Sequence, residues 1–212
     1  MIRPSDIQRE SFRIIEHELG VHDLPPEEFT VIRRVIHSTG DFEYARLLAF
    51  HPQAFAAARE AIHAGEDILT DVEMVRMGIR GLAQSRHGLC VRCHLDDPEA
   101  VRAAWAMETT RSAQGILRGL QAGRVGICVV GNAPTALRAV LEACHASGGP
   151  RPRLLVGVPV GFVDAAEAKA ALSCADVIPW ITCLGRKGGS AVAAAIVNAL
   201  LEAVPPQQCT QE

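Results

Sequence analysis

Lysine is nearly absent from this 212-residue chain: Lys169 and Lys187 stand alone against 19 arginines. The 24 acidic residues bring the formal net charge to −3, so there is no broad positive field to attract nucleic acid or an anionic membrane. Aromatics are equally sparse, with two Trp, one Tyr and six Phe, which argues against a stacking platform for single-stranded nucleic acid. No run reaches the roughly 18 apolar residues of a membrane-spanning helix. The opening twenty residues, MIRPSDIQRESFRIIEHELG, are charged throughout and lack a secretory signal's apolar stretch and small-residue cleavage site. A cytoplasmic protein is therefore expected. Its seven irregularly spaced cysteines, at 90, 93, 128, 144, 174, 183 and 209, read as reduced thiols rather than a disulfide framework. Neither a Walker loop nor G-x-G-x-x-G is present, so nothing local marks a nucleotide site.

What the chain does have is a 49% apolar composition, enough for one sizeable core. We expect a single domain over residues 1–204, with a helical part at 1–65, an α/β part at 66–204 and a loose tail at 205–212. Helical periodicity marks Ile7, Phe12, Ile14, Ile15 and Leu19, then Phe29, Ile32, Val35 and Ile36 after a PPEE start. Beyond residue 65, five short apolar runs, DILT, LCVRC, VGICVV, RLLVGV and DVIPWITC, alternate with amphipathic segments. That alternation predicts an α/β fold: a doubly wound five-stranded parallel sheet, with an N-terminal helical layer.

Such sheets bind ligands beyond the carboxyl ends of their strands. Three consecutive strand ends here carry glycine-containing turns: Gly131-Asn132-Ala133-Pro134, Pro159-Val160-Gly161-Phe162, and Gly185-Arg186-Lys187-Gly188-Gly189. Each is expected to bring free backbone N–H groups and a helix N-terminus to one rim, a setting suited to phosphate or carboxylate.

Cys90-Val91-Arg92-Cys93-His94 has the letters of a c-type haem attachment site. It falls on an expected strand, where residues three apart point to opposite faces, so the two thiols cannot readily share a haem or a zinc ion. Cys93 and His94 are instead expected at the carboxyl end of that strand, with His94 near the ligand rim.

Read together, VIRRVIHSTGDFEYARLLAF, GNAPTAL, GVPVGFVDAAEAKAAL and GRKGGSAVAAAIVNAL resemble the precorrin-8X methylmutase family of cobalamin biosynthesis. ESFRIIEHEL, AGEDILTDVEMVRMGI and TTRSA extend the resemblance over nearly the whole chain. The resemblance implies a flavodoxin-like fold and a homodimer with the tetrapyrrole near the subunit interface. It also implies an isomerase that moves a methyl group from C11 to C12 of precorrin-8X or cobalt-precorrin-8, giving hydrogenobyrinic or cobyrinic acid. No cofactor is implied, since any cobalt belongs to the substrate. The corrinoid is the expected partner, with possible hand-over of product to the next pathway enzyme.

His37 is similar to the family's catalytic histidine, and histidine suits proton transfer because its ordinary pKa lies near working pH. Arg34, three residues earlier, would share its helix face and hold a substrate carboxylate. Ser11 matches a family serine that contacts substrate. Arg111 follows the helix caps Thr109 and Thr110, where a guanidinium and cap N–H groups form a carboxylate cradle. Glu108 stands where the family commonly has glycine. Asn132 and Arg186, at two of the strand-end turns, complete the expected substrate contacts. Three alternatives predict different behaviour: a non-catalytic tetrapyrrole carrier on this fold, a flavin or nucleotide binder, and a c-type cytochrome.

Overall fold

The structure is a computed structural model and describes residues 4–206, which leaves Cys209 and most of the expected tail outside it. The chain opens with α1 (Pro4–Leu19) and α2 (Pro26–Thr39). In α2, proline in the first turn costs no hydrogen bond, Glu27 and Glu28 suit the positive end of the helix dipole, and Gly40 ends the helix in a left-handed conformation. Phe12 meets His37, Glu16 pairs with Arg33 and His22 meets Phe29, so the two helices run antiparallel.

After them come α3 (Tyr44–Leu47), β1 (Leu48–Phe50) and α4 (Ala54–His63). The α/β part then runs β2 (Asp67–Thr70), α5 (Glu73–His87), β3 (Val91–Cys93), α6 (Pro98–Ala106), α7 (Arg111–Ala122), β4 (Val125–Val130) and α8 (Pro134–His145). It closes with β5 (Leu154–Gly157), α9 (Ala165–Ser173), β6 (Trp180–Cys183) and α10 (Ser190–Ala203).

All five expected strands form, and they pair in parallel. The sheet has a sixth, however: order β1-β6-β5-β4-β2-β3, with β1 antiparallel to β6 along one edge. Residues 1–65 are thus not purely helical. Three residues, LAF, are too short to show a period of two, and their partner lies at the far end of the chain. Counted among themselves, the parallel strands follow the order 2-1-3-4-5 of flavodoxin-like sheets. The chain reverses direction across the sheet between β2 and β4, and their carboxyl ends form the switch point.

Each face of the sheet carries its own core. On one, Ile68, Ile127, Val129, Leu154, Val156 and Ile181 pack with α2, α4, α5 and α10. On the other, Leu69, Cys128, Val130 and Leu155 pack with α7, α8 and α9. Strands covered on both sides read as continuous apolar runs for this reason.

Candidate active site

At the edge of the rim, the loop between β6 and α10 is fastened to the turn that follows α2. Lys187 Nζ pairs with Asp41 and with Glu43 at 2.7 Å. The hydrogen bond from Lys187 holds the Asp41 carboxyl below its ordinary range. Tyr44, buried so that its phenol is pushed up, accepts the Gly188 N–H. Gly188 has φ 147°, and a Cβ there would stand 2.3 Å from the Val158 carbonyl oxygen, so only glycine fits.

This fastening brings the carboxyl end of α2 to the rim, and with it His37. The imidazole is exposed in the last helical turn, edge-on to Phe12 with ring centroids 5.3 Å apart. Ser11 precedes Phe12 on α1; its hydroxyl donates to the Ile7 carbonyl at 2.9 Å. Arg34 points elsewhere: its Nη1 donates to both carboxylate oxygens of Glu202 on α10, at 2.8 and 2.7 Å. His37 therefore faces α1 while Arg34 faces α10, and the guanidinium is occupied within its own chain. Arg186 is exposed, its guanidinium carbon 5.4 Å from the Phe162 ring centre. Phe162 and Val163 are themselves 84% exposed.

The switch point differs from the expected N–H cradle. Asp71, 1% exposed directly after β2, fills it: Oδ1 accepts the Gly131 N–H at 3.0 Å, and Oδ2 accepts those of Asn132 and Ala133 at 2.9 Å each. Burial pushes this carboxyl up while the three donors pull it down. At the other two turns the Gly161 N–H goes to the Arg186 carbonyl and the Gly189 N–H to that of Val158. At the switch point the three backbone donors are thus taken up by Asp71, and the Gly161 and Gly189 donors go to carbonyls of the protein itself, which leaves side chains to meet a ligand beside them. The Asn132 side chain is one of these, exposed at the rim.

Arg111 opens α7 under the Thr110 cap, whose hydroxyl accepts the Ala113 N–H at 3.2 Å and bonds Thr135 at 2.7 Å. That contact ties the start of α7 to the start of α8, beside Asn132. Arg111 itself pairs with Asp96 at 3.1 Å, both exposed. Beside it lies a groove of about 640 Å³ formed by Trp105, Glu108 and Thr109. Glu108 adopts φ 50°, the left-handed geometry that glycine takes without strain.

His94 does not face the rim. Its ring is 22% exposed and packs under α7 at Gly119, where a Cβ would come within 3.0 Å of it, and its Nδ1 lies 3.7 Å from Asp97. Cys90 is exposed, Cys93 is half-buried, and every cysteine among the described residues is free. No group of three or more His, Cys, Asp or Glu among the described residues could hold a metal ion. Nor is any helix among them long and apolar enough to cross a membrane.

Fold and rim together define a class: a doubly wound α/β protein whose carboxyl edge presents arginines, an asparagine and a histidine. Residues 6–203 match the family model described as precorrin-8X methylmutase. A cobalt-precorrin-8 methylmutase from Priestia megaterium is 38% identical over 94% of this chain and 88% of its own. A precorrin-8X methylmutase from Pseudomonas aeruginosa is 40% identical over 92% and 93% of the two chains. The crystal structure of the precorrin-8X methylmutase from Thermus thermophilus superposes with a TM-score of 0.84 at 42% identity, covering 93% of this chain and 95% of that one. The chain belongs to the precorrin-8X methylmutase family and is an isomerase that migrates a methyl group.

Proposed function

We propose that the enzyme moves a methyl group from C11 to C12 of precorrin-8X or cobalt-precorrin-8, yielding hydrogenobyrinic or cobyrinic acid, with His37 as the proton carrier. The observation that supports this most directly is the exposed His37 imidazole at the rim, braced by Phe12 and adjoining the turn that holds the Lys187 loop. Protonated His37 gives its proton to the conjugated ring, which becomes electron-poor. The methyl group then migrates with its bonding pair, and the imidazole takes the proton back. Atoms and charge balance with no redox partner, external methyl donor or cofactor.

Arg111, Arg186 and Asn132 hold the peripheral carboxylates, with guanidinium groups supplying charge-assisted hydrogen bonds. Ser11 contacts the substrate from α1. Arg34 acts by exchanging Glu202 for a substrate carboxylate. Two copies associate, and the exposed Val160, Phe162, Val163 and Leu184 at the rim suit such a partner. The work is carried out in the cytoplasm.

The test is His37→Ala, assayed with precorrin-8X and its cobalt form by the absorbance change on methyl migration. Turnover should fall by about 10²–10⁴-fold, with corrinoid affinity within about threefold of wild type. Unchanged turnover would overturn the assignment of His37 as proton carrier and leave it a substrate contact only.

A further inference from the structure

The chain's two lysines are joined to one another. Lys169, on α9, is 0% exposed, and its Nζ donates to the backbone carbonyl of Lys187. No carboxylate among the described residues pairs with it. Its near neighbour is the buried Cys183 thiol, which burial pushes up to about 11. Burying an ammonium on a single carbonyl is costly, so the arrangement calls for a reason beyond packing.

The reason lies in what that carbonyl belongs to. The peptide unit between Lys187 and Gly188 is held at both ends: its oxygen by Lys169, its N–H by the Tyr44 hydroxyl. On one flank the Arg186 carbonyl accepts the Gly161 N–H at 3.2 Å; on the other the Gly189 N–H reaches the Val158 carbonyl at 2.8 Å. The Lys187 side chain continues outward to Asp41 and Glu43, just past the end of the His37 helix. A planar guanidinium carries donors in a fork, whereas a single inward-facing carbonyl at the end of a narrow path suits a compact ammonium. Lysine at position 169, in a chain that otherwise uses arginine, fits that geometry.

We propose that Lys169 is a positioning residue: with Tyr44 it clamps the Lys187–Gly188 peptide plane, so that Arg186 is presented to the substrate at a fixed distance from the His37 helix. This rests on the assignment of Arg186 as a substrate contact. Lys169 does not touch substrate; it sets the loop that does.

The full-length protein carrying Lys169→Met, Tyr44→Phe or Arg186→Ala distinguishes the possibilities. Lys169→Met keeps the volume and removes the donor, and Tyr44→Phe removes the opposite contact with almost no change of shape. In Lys169→Met, KM for the corrinoid should rise about tenfold with kcat within twofold, and in Tyr44→Phe about threefold. In both, the Gly188 and Gly189 amides should exchange with solvent at least tenfold faster, while the midpoint of thermal unfolding stays within a few degrees. A purely structural role would instead lower the midpoint and leave KM and loop exchange unmoved, which would overturn the proposal. If Arg186→Ala raises KM while both clamp variants behave as wild type, the clamp fails and the substrate role of Arg186 stands. If Arg186→Ala leaves KM unchanged, the substrate assignment fails and the clamp's purpose with it. Should Lys169→Met not fold, Tyr44→Phe decides by the same readings.

Discussion

Asp71 and Gly131 are joined across the switch point of the sheet, the carboxylate of one accepting the backbone N–H of the other at 3.0 Å. With Asn132 and Ala133 also donating, the carboxylate takes the place that a phosphate occupies in many sheets of this order. Asp71→Asn turns an amide NH₂ toward at least one of these donors and should lower unfolding free energy by about 2–3 kcal/mol, read by urea denaturation. The wild-type protein, with the cradle already filled, should show no quenching of flavin mononucleotide fluorescence on titration.

Glu108 holds a left-handed conformation beside Arg111. Replacing it with glycine relieves about 1–2 kcal/mol of backbone strain and gives back about half of that through the freer unfolded chain. Glu108→Gly should therefore raise the stability by about 0.5–1 kcal/mol. Removing a negative charge from the groove should also tighten corrinoid binding about twofold to threefold at low salt. Weaker binding in this variant would show that Glu108 contributes a contact of its own.

Arg111 and Arg186 are the exposed guanidinium groups best placed for peripheral carboxylates. Truncating either to alanine should cost about tenfold in affinity, the scale of one charge-assisted hydrogen bond. Asp96→Asn, which releases Arg111 from the carboxylate it pairs with, should have the opposite sign, a modest gain. Titration of corrinoid absorbance in 50 and 300 mM salt checks all three, since the arginine contributions shrink on screening.

Glu66 stands immediately before β2, at the end of the strand away from the rim. Its carboxylate, 10% exposed, receives Arg153 at 2.6 and 3.0 Å and Arg124 at 3.5 Å. The Arg153 hydrogen bond holds its pKa below the ordinary 4.5. An acid with a depressed folded-state pKa contributes stability that is complete above the unfolded value and is lost as pH falls through the folded one. Glu66→Gln should thus be about 1 kcal/mol less stable than wild type at pH 7, the gap closing as pH drops below 4.5. Thermal unfolding between pH 7 and 3 measures it.

The five parallel strands and α10 were legible because each is a contiguous apolar run bounded by turn residues. Gly188-Gly189 before Ser190 and Pro205-Pro206 after Val204 frame the last helix. β1 was not legible, since three residues carry no period and its partner β6 comes last. The strand-end rule pointed to the turns that carry Asn132 and Arg186, whereas His37, on a helix, was singled out by the family resemblance. Whether the backbone donors beside them were free could not, because Asp71 reads in sequence as an ordinary strand-end residue. Arg34 illustrates the same limit: helical spacing placed it near His37, but its partner Glu202 is set by the packing of α2 on α10. The Cys90–His94 pentapeptide resolved in the other direction, with β3 starting at Val91 and His94 turned under α7.

The antiparallel edge also has a bearing on how the molecule is made. β1 leaves the ribosome early, yet among the described residues its one ladder is to β6, which is synthesised after the whole intervening α/β region. Until then Leu48, Ala49 and Phe50 have no sheet edge to join, a pairing of high sequence separation. Closing this edge and fastening Lys187 to Asp41 therefore both depend on β6 and the loop that follows it, which are synthesised late.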